Sequence, residues 1–200
     1  MAGNYEKIIK ENLITLYRNL PDDLTERVGA ERRGDVFTFQ AFGDMCRIEP
    51  DAIYLGEEIQ EGPLGIIVSL YLLHATKEPL ILEPFRAFKE FPDSMPYTGA
   101  FITHTESILA PHVQQIFDSR TAILACLKDG ESPSKIAGDF SFVVSPLPKI
   151  KLCYIFYHAD DDFPASVTCL YSHNANHFIP IDGLADIGEY TSKKIISCIA

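Results

Sequence analysis

The clearest alternation of apolar and polar positions lies near the C-terminus. Phe140, Phe142 and Val144 alternate with Ser141, Val143 and Ser145, the period of a half-buried strand. Pro146 and Pro148 are expected to end it, because proline has no N–H to give to a ladder. Ile150, Leu152, Tyr154 and Phe156 then alternate with Lys151, Cys153, Ile155 and Tyr157. After the polar turn 158–164 (HADDDFP), residues 165–171 (ASVTCLY) form a second β-branched and aromatic run, so the two runs read as a hairpin. A turn symmetric about Asp161 sets Cys153 opposite Cys169, Ile155 opposite Val167 and Tyr157 opposite Ala165, on one apolar face. A slip of one residue exchanges the faces, and a turn this long does not fix the register. Asp182 then reads as the N-cap of a closing helix. Leu184, Ile187, Thr191, Ile195 and Cys198 form its apolar stripe, and Lys193 and Lys194 suit its C-terminal dipole.

Earlier in the chain, Asn4 can cap a helix with Ile9, Leu13, Leu16, Tyr17 and Leu20 on one side, stopped by Pro21. Residues 22–29 predict a second short helix closed by Gly29, and residues 31–35 a charged loop. Residues 36–42 alternate as a strand, Gly43 and Asp44 turn the chain, and residues 45–48 pair back; residues 52–55 predict a third short strand. Gly62 and Pro63 then open a helix through Leu73 that is apolar nearly all round, which marks it as the buried central helix. His74 at its end complements the dipole. Residues 80–84 read as extended. Phe85, Phe88 and Phe91, at steps of three, predict a helical turn against a core with Pro92 as its stop. Helices follow at 98–109 and 113–128, broken near Pro111 and closed by Gly130, and a polar loop at 131–138 leads into the C-terminal strands.

These elements predict an α+β fold in a single domain over residues 1–200, with a mainly antiparallel or mixed sheet, the buried central helix and the C-terminal helix packed on the sheet. Its parts are a helical segment at 1–30, a hairpin with helices at 36–138, and three strands with the closing helix at 139–200. The length of 200 residues suits one domain, and 46% hydrophobic residues suffice for a sizeable core. A net charge of −11 argues against nucleic acid and against an anionic membrane surface as partners. The polar N-terminus carries no signal-peptide pattern, and the longest apolar run, residues 64–73, falls short of the roughly 20 residues a bilayer needs, so a cytoplasmic location is expected. Five cysteines without C-x-x-C spacing read as small buried hydrophobes in a reducing compartment.

Several short motifs together resemble domain-of-unknown-function family 3786 of anaerobic bacteria and archaea, over residues 36–196. They are Phe42-Gly43 before Ile48, Leu70-Tyr71-Leu72-Leu73 before Pro79, Phe88-Lys89-Glu90-Phe91-Pro92, Leu147-Pro148, Asp162-Phe163-Pro164-Ala165 before Leu170-Tyr171, and Asp182-Gly183-Leu184. Some members of that family carry an extra N-terminal four-cysteine iron–sulfur segment of the kind seen near corrinoid enzymes. This chain shows no such segment, so no intrinsic iron–sulfur cluster is expected. It also has Asp93-Ser94 where relatives are glycine-rich and Ser172 where many are acidic. The family has no established activity, so the resemblance implies a fold more than a function.

Two constellations stand out as candidate chemistry. His158, Asp161 and Asp162 share one turn with Asp160, and His173 and His177 lie in the next loop; together they form a candidate metal set if that loop folds back to the same edge. Arg86, Glu90 and Tyr97, among aromatics, form a candidate pocket rim in which Arg86 meets an acidic ligand. No phosphate-binding glycine loop, no nucleophile elbow and no H-E-x-x-H is present, and Cys126 and Cys153 have no base beside them in sequence. No cofactor is identified by these residues. Three readings follow: a non-catalytic accessory or small-ligand-binding module in anaerobic metabolism; a metal-dependent, hydrolase-like enzyme using the His/Asp edge; and a structural or homo-oligomerising protein. The partner is accordingly a small molecule or another protein.

Overall fold

Chain order builds two antiparallel sheets with helices between them. The computed structural model describes residues 3–128, 130 and 138–199. Helix α1 (Gly3–Arg18) buries the predicted Ile9, Leu13 and Leu16, and α2 (Leu24–Val28) closes on Gly29 in the left-handed region. A meander follows: β1 (Glu31–Arg33), β2 (Val36–Ala41), β3 (Asp44–Ile48), β4 (Ile53–Leu55) and β5 (Glu58–Ile59), paired in that order. Strand β1 replaces the charged loop expected at 31–35. Its residues are all exposed at the sheet edge, where no apolar alternation is required, and Arg32 lies over the Phe37 ring at 5.2 Å.

Helix α3 (Pro63–His74) is the central helix the sequence implies. It packs on α1 on one side, where a Cβ at Gly65 would stand 2.6 Å from Ile9 Cδ1, and its Tyr71 hydroxyl donates to Val28 O at 2.9 Å. His74 is exposed at its last turn. Strand β6 (Arg86–Ala87) and a 3-10 turn (Phe88–Glu90) replace the helical turn expected from the phenylalanine spacing. Phe88 and Phe91 enter the core, whereas Phe85 packs on the outer face of the second sheet against Val143, Cys153 and Ile155. A further 3-10 turn (Met95–Tyr97) leads into α4 (Thr98–Phe101), which widens into a π turn (Ile102–Ser107). Helices α5 (Val113–Asp118) and α6 (Arg120–Cys126) follow, and α6 ends short of Gly130, with Lys128 already at φ 51°. The polar loop expected at 131–138 falls almost wholly outside the described residues.

The second sheet has the order β6-β9-β8-β7, from β7 (Phe140–Leu147), β8 (Ile150–Tyr157) and β9 (Ser166–Tyr171). Strand β7 runs through Pro146 instead of ending there. The strand is at an edge, its register shifts between Val144 and Leu147, and such an irregular edge tolerates a residue without an N–H. The hairpin register is one residue from the symmetric one: Cys153 pairs with Leu170 and Tyr154 with Cys169. The slip puts Tyr154, Phe156, Cys169 and Tyr171 into the main core and Cys153 on the opposite face with Val143 and Ile155. Helix α7 (Ile181–Ser197) crosses the inner face and buries Leu184, Ile187, Thr191 and Ile195, the predicted stripe. Pro180 occupies its N-cap position, two residues earlier than the predicted Asp182, whose carboxylate accepts the Gly183 N–H at 2.8 Å. The fold is thus the single α+β domain expected, with the C-terminal helix on the sheet. No helix among the described residues is long and apolar enough to cross a membrane.

The five cysteines are not alike. Cys46, Cys153 and Cys169 are buried and free, but Cys126 and Cys198 form a disulfide, which corrects the reading of all five as unpaired thiols. The helix ends that carry the pair are 72 residues apart in sequence, so no local spacing announces it.

One ion cluster fixes α2 to the end of α3. Lys77 Nζ (2.9 Å) and Arg27 Nε (2.8 Å) both reach the Asp23 carboxylate and hold its carboxyl down to about 2. A lowered folded pKa stabilises the fold above the unfolded value of about 3.9, and that contribution is lost as the pH falls through about 2. Asp23→Asn is therefore expected to melt below the wild type at neutral pH, with the two curves converging in acid. A gap that stays constant across that range in paired thermal melts would refute the assignment.

Candidate functional site

The π turn at Ile102–Ser107 builds the site. Residues 102–105 include three β-branched side chains, which are weak helix formers, and the wide turn brings Thr105 inward and Glu106 down onto β9. Helix α7 permits this approach through Gly188. A Cβ there would meet Phe101 Cε2 and the Tyr171 hydroxyl at 2.6 Å and Thr105 Oγ1 at 3.0 Å. Ser192 Oγ donates to Thr105 O at 2.8 Å and closes the junction.

Strand β6 is only two residues long, so it pairs with β9 at Leu170 and Tyr171 and leaves Cys169 beyond it. Glu106 completes the edge: the Cys169 N–H donates to Glu106 Oε1 at 2.9 Å, in the manner of a strand carbonyl. Burial pushes the Glu106 carboxyl up, against the opposing pull of that N–H and of the Lys89 ammonium. Burial also pushes the Cys169 thiol well up, and the neighbouring Glu106 carboxylate adds to it. Between these elements lies a cleft of about 190 Å³, with Ala87, Phe88 and Lys89 on one wall, Phe101 and Glu106 on the other, and Cys169 at its base. The stacked Phe88 and Phe101 rings, 4.5 Å apart, make it rigid and apolar below its charged groups.

Arg86, Glu90 and Tyr97 lie outside this cleft, although the segment that carries them forms one of its walls. Arg86 donates to His173 O at 3.4 Å and to Glu90 O, and its guanidinium lies over the Phe91 ring at 4.4 Å. Glu90 Oε2 accepts the Ala87 N–H at 3.1 Å. These two side chains therefore fasten β6 to its neighbours, while Tyr97 is exposed in the turn that follows.

The histidines and aspartates do not converge. His158 lies at the hairpin turn, its ring edge-on to Phe117 at 5.4 Å and its N–H donated to Asp139 Oδ2 at 2.7 Å. Asp160 shapes that turn by accepting the N–H groups of Asp162 (2.9 Å) and Phe163 (2.7 Å), and Asp161 and Asp162 point to solvent. His173 and His177 follow the far end of β9. Five strand steps separate Ser166 from Tyr171, roughly 17 Å at the usual rise. There His173 Nδ1 is 3.1 Å from Pro84 O and His177 Nδ1 is 2.7 Å from Glu78 Oε2. Among the described residues no group of three or more His, Cys, Asp or Glu side chains is placed to hold a metal ion.

Glu106 was not singled out by the sequence pattern. A lone glutamate in a polar stretch has no periodic signal, and only the π turn reveals what it reaches. Comparison with curated proteins and with solved structures gives no match. The family described as Domain of unknown function (DUF3786) matches residues 21–194. Strands β2 to β9 and helix α3, together with the whole cleft beneath the π turn, fall within that span, and the chain belongs to this family.

Proposed function

We propose that the chain is a non-catalytic module that binds a small zwitterion, of the amino-acid type, in the cleft beneath the π turn. The observation that carries this reading is Glu106, a half-buried carboxylate anchored to the β9 backbone in the wall of a preformed cleft. A carboxylate held there is preorganised to take an ammonium group, and Lys89 across the cleft is a partner for a carboxylate. The volume of about 190 Å³ lies under the roughly 300–1,000 Å³ of drug-sized sites, which limits the ligand to a small molecule. Two features favour binding over catalysis. The Cys169 thiol is held protonated, and among the described residues no histidine lines the cleft.

Glu106→Gln keeps an oxygen for the Cys169 N–H and removes the charge. Titration calorimetry with free amino acids, their N-acetyl derivatives and their amides tests the reading. Free amino acids are expected to bind saturably, and the variant to lose about tenfold or more, the scale of a hydrogen bond to a charged group. Wild-type affinity should also fall on acidification at a higher pH than an ordinary glutamate would give, because the raised carboxyl is protonated first. Absence of binding by the whole panel, or binding indifferent to Glu106→Gln, would sink the proposal.

A further inference from the structure

We infer that the Cys126–Cys198 disulfide is a reducible latch, opened through Cys126 by a dithiol reductant. Cys126 is exposed, Cys198 is half-buried, and the other three cysteines are 0–1% exposed, so the disulfide lies at the surface and Cys126 is the cysteine most open to a partner. Exposed disulfides are the ones that exchange.

The pair does not have the setting of a catalytic dithiol. Such dithiols place a thiolate at a helix N-terminus, where the peptide dipoles favour negative charge. Here Cys126 is the last residue of α6 and Cys198 the C-cap of α7, both at carbonyl ends that disfavour a thiolate. The bond is therefore the substrate of an exchange reaction.

What it fastens is the junction of the two sheets. The tip of the β2–β3 hairpin rests on the end of α6, so that a Cβ at Gly43 would stand 2.7 Å from Cys126 O and 3.0 Å from Leu127 Cα. The Phe42 N–H donates to Pro146 O in β7 at 2.9 Å, and Lys194 of α7 donates to Asp44 at 3.0 Å. The disulfide ties α6 to α7 at that point, so opening it frees the seat of the hairpin while leaving the hairpin's own bonds to β7 and α7 in place.

The exchange balances. One thiolate of the dithiol attacks Cys126 Sγ, the Sγ–Sγ bond breaks, and Cys198 leaves as a thiolate that takes a proton from water. The second thiol of the reductant, as its thiolate, attacks the mixed disulfide and releases Cys126, which is protonated in turn. Two electrons pass to the protein, and the reductant leaves as a disulfide.

Native-state alkylation with iodoacetamide, read by peptide mass, tests this alongside amide hydrogen exchange. Protein equilibrated with oxidised glutathione should label at no cysteine. Dithiothreitol under native conditions should expose Cys126 and Cys198 alone, and denaturant all five. Reduction should speed exchange at Gly43 and Leu127 by about tenfold or more, with the amides of Tyr154 and Phe156 unchanged. The latch is overturned if both cysteines label in the oxidised sample, if the bond resists dithiothreitol until the chain unfolds, or if exchange at Gly43 and Leu127 does not respond. Cys126→Ser, which cannot close the bond, should show the fast exchange without reductant; slow exchange there counts equally against it.

Discussion

Tyr171→Ala is expected to lower the unfolding free energy by about 3–5 kcal/mol, the cost of emptying a large aromatic site that cannot fully collapse. Tyr171 is fully buried, and its ring lies against Phe88 (6.1 Å), Phe91 (5.9 Å) and Phe101 (5.8 Å). Its hydroxyl donates to Leu184 O in α7 at 2.8 Å. The residue thus joins β9, the wall of the cleft and the crossing helix. Tyr171→Phe keeps the ring and removes the hydroxyl's bond to Leu184 O, so it should cost only about 0.5–1.5 kcal/mol. Urea midpoints at an unchanged slope measure both. Equal losses for the two variants would show that the hydroxyl, and not the ring, holds the junction.

Gly43→Ala should cost about 2–5 kcal/mol through two separate causes. The residue has φ 85° in the two-residue turn between β2 and β3, where a Cβ costs about 1–2 kcal/mol. The added methyl also drives into the backbone of Cys126 and Leu127, and overpacking of that kind typically costs about 1–3 kcal/mol. Gly34 separates the causes. It sits in the two-residue turn between β1 and β2 at φ 63° with nothing within 4 Å of its absent Cβ, so Gly34→Ala should show a left-handed backbone cost without the clash. Denaturation of the two variants side by side measures the difference, and matching losses would mean that the hairpin tip yields without resistance.

Where a side chain's periodicity met its burial, the sequence was legible. Helix α3, apolar on every side, is buried, and the stripe on α7 faces the sheet as spaced. Legibility failed where the determinant is not periodic. Glu31, Arg32 and Arg33 form an edge strand because the chain reverses at Gly34, not because an apolar face demands it. Phe85 shares a three-residue spacing with Phe88 and Phe91 yet lies on the other side of the sheet, since the strand at Arg86–Ala87 intervenes. The hairpin register turned on the shape of one polar turn, and a single step carried Cys153 out of the main core and Tyr154 into it. The site was half legible for the same reason. The segment from Phe85 to Tyr97 does border the cleft, but Ala87, Phe88 and Lys89 face it while Arg86 and Glu90 are occupied in fastening the backbone. Glu106 and the Cys126–Cys198 bond depend on contacts across 63 and 72 residues, which no local pattern encodes.

The flanks of the second sheet bear on how copies of the chain can meet. Eight-residue strands rich in phenylalanine and valine, such as β7, are hazards when their edges lie open to another molecule. One flank here offers only the two residues of β6, which then turn away into a 3-10 turn, and Glu106 occupies the next amide along β9. On the other flank, Pro146 has no N–H to offer and its carbonyl is taken by Phe42. Both borders of the second sheet are thus blunted against templated strand addition at these points, so fibrillar growth from this sheet is discouraged there.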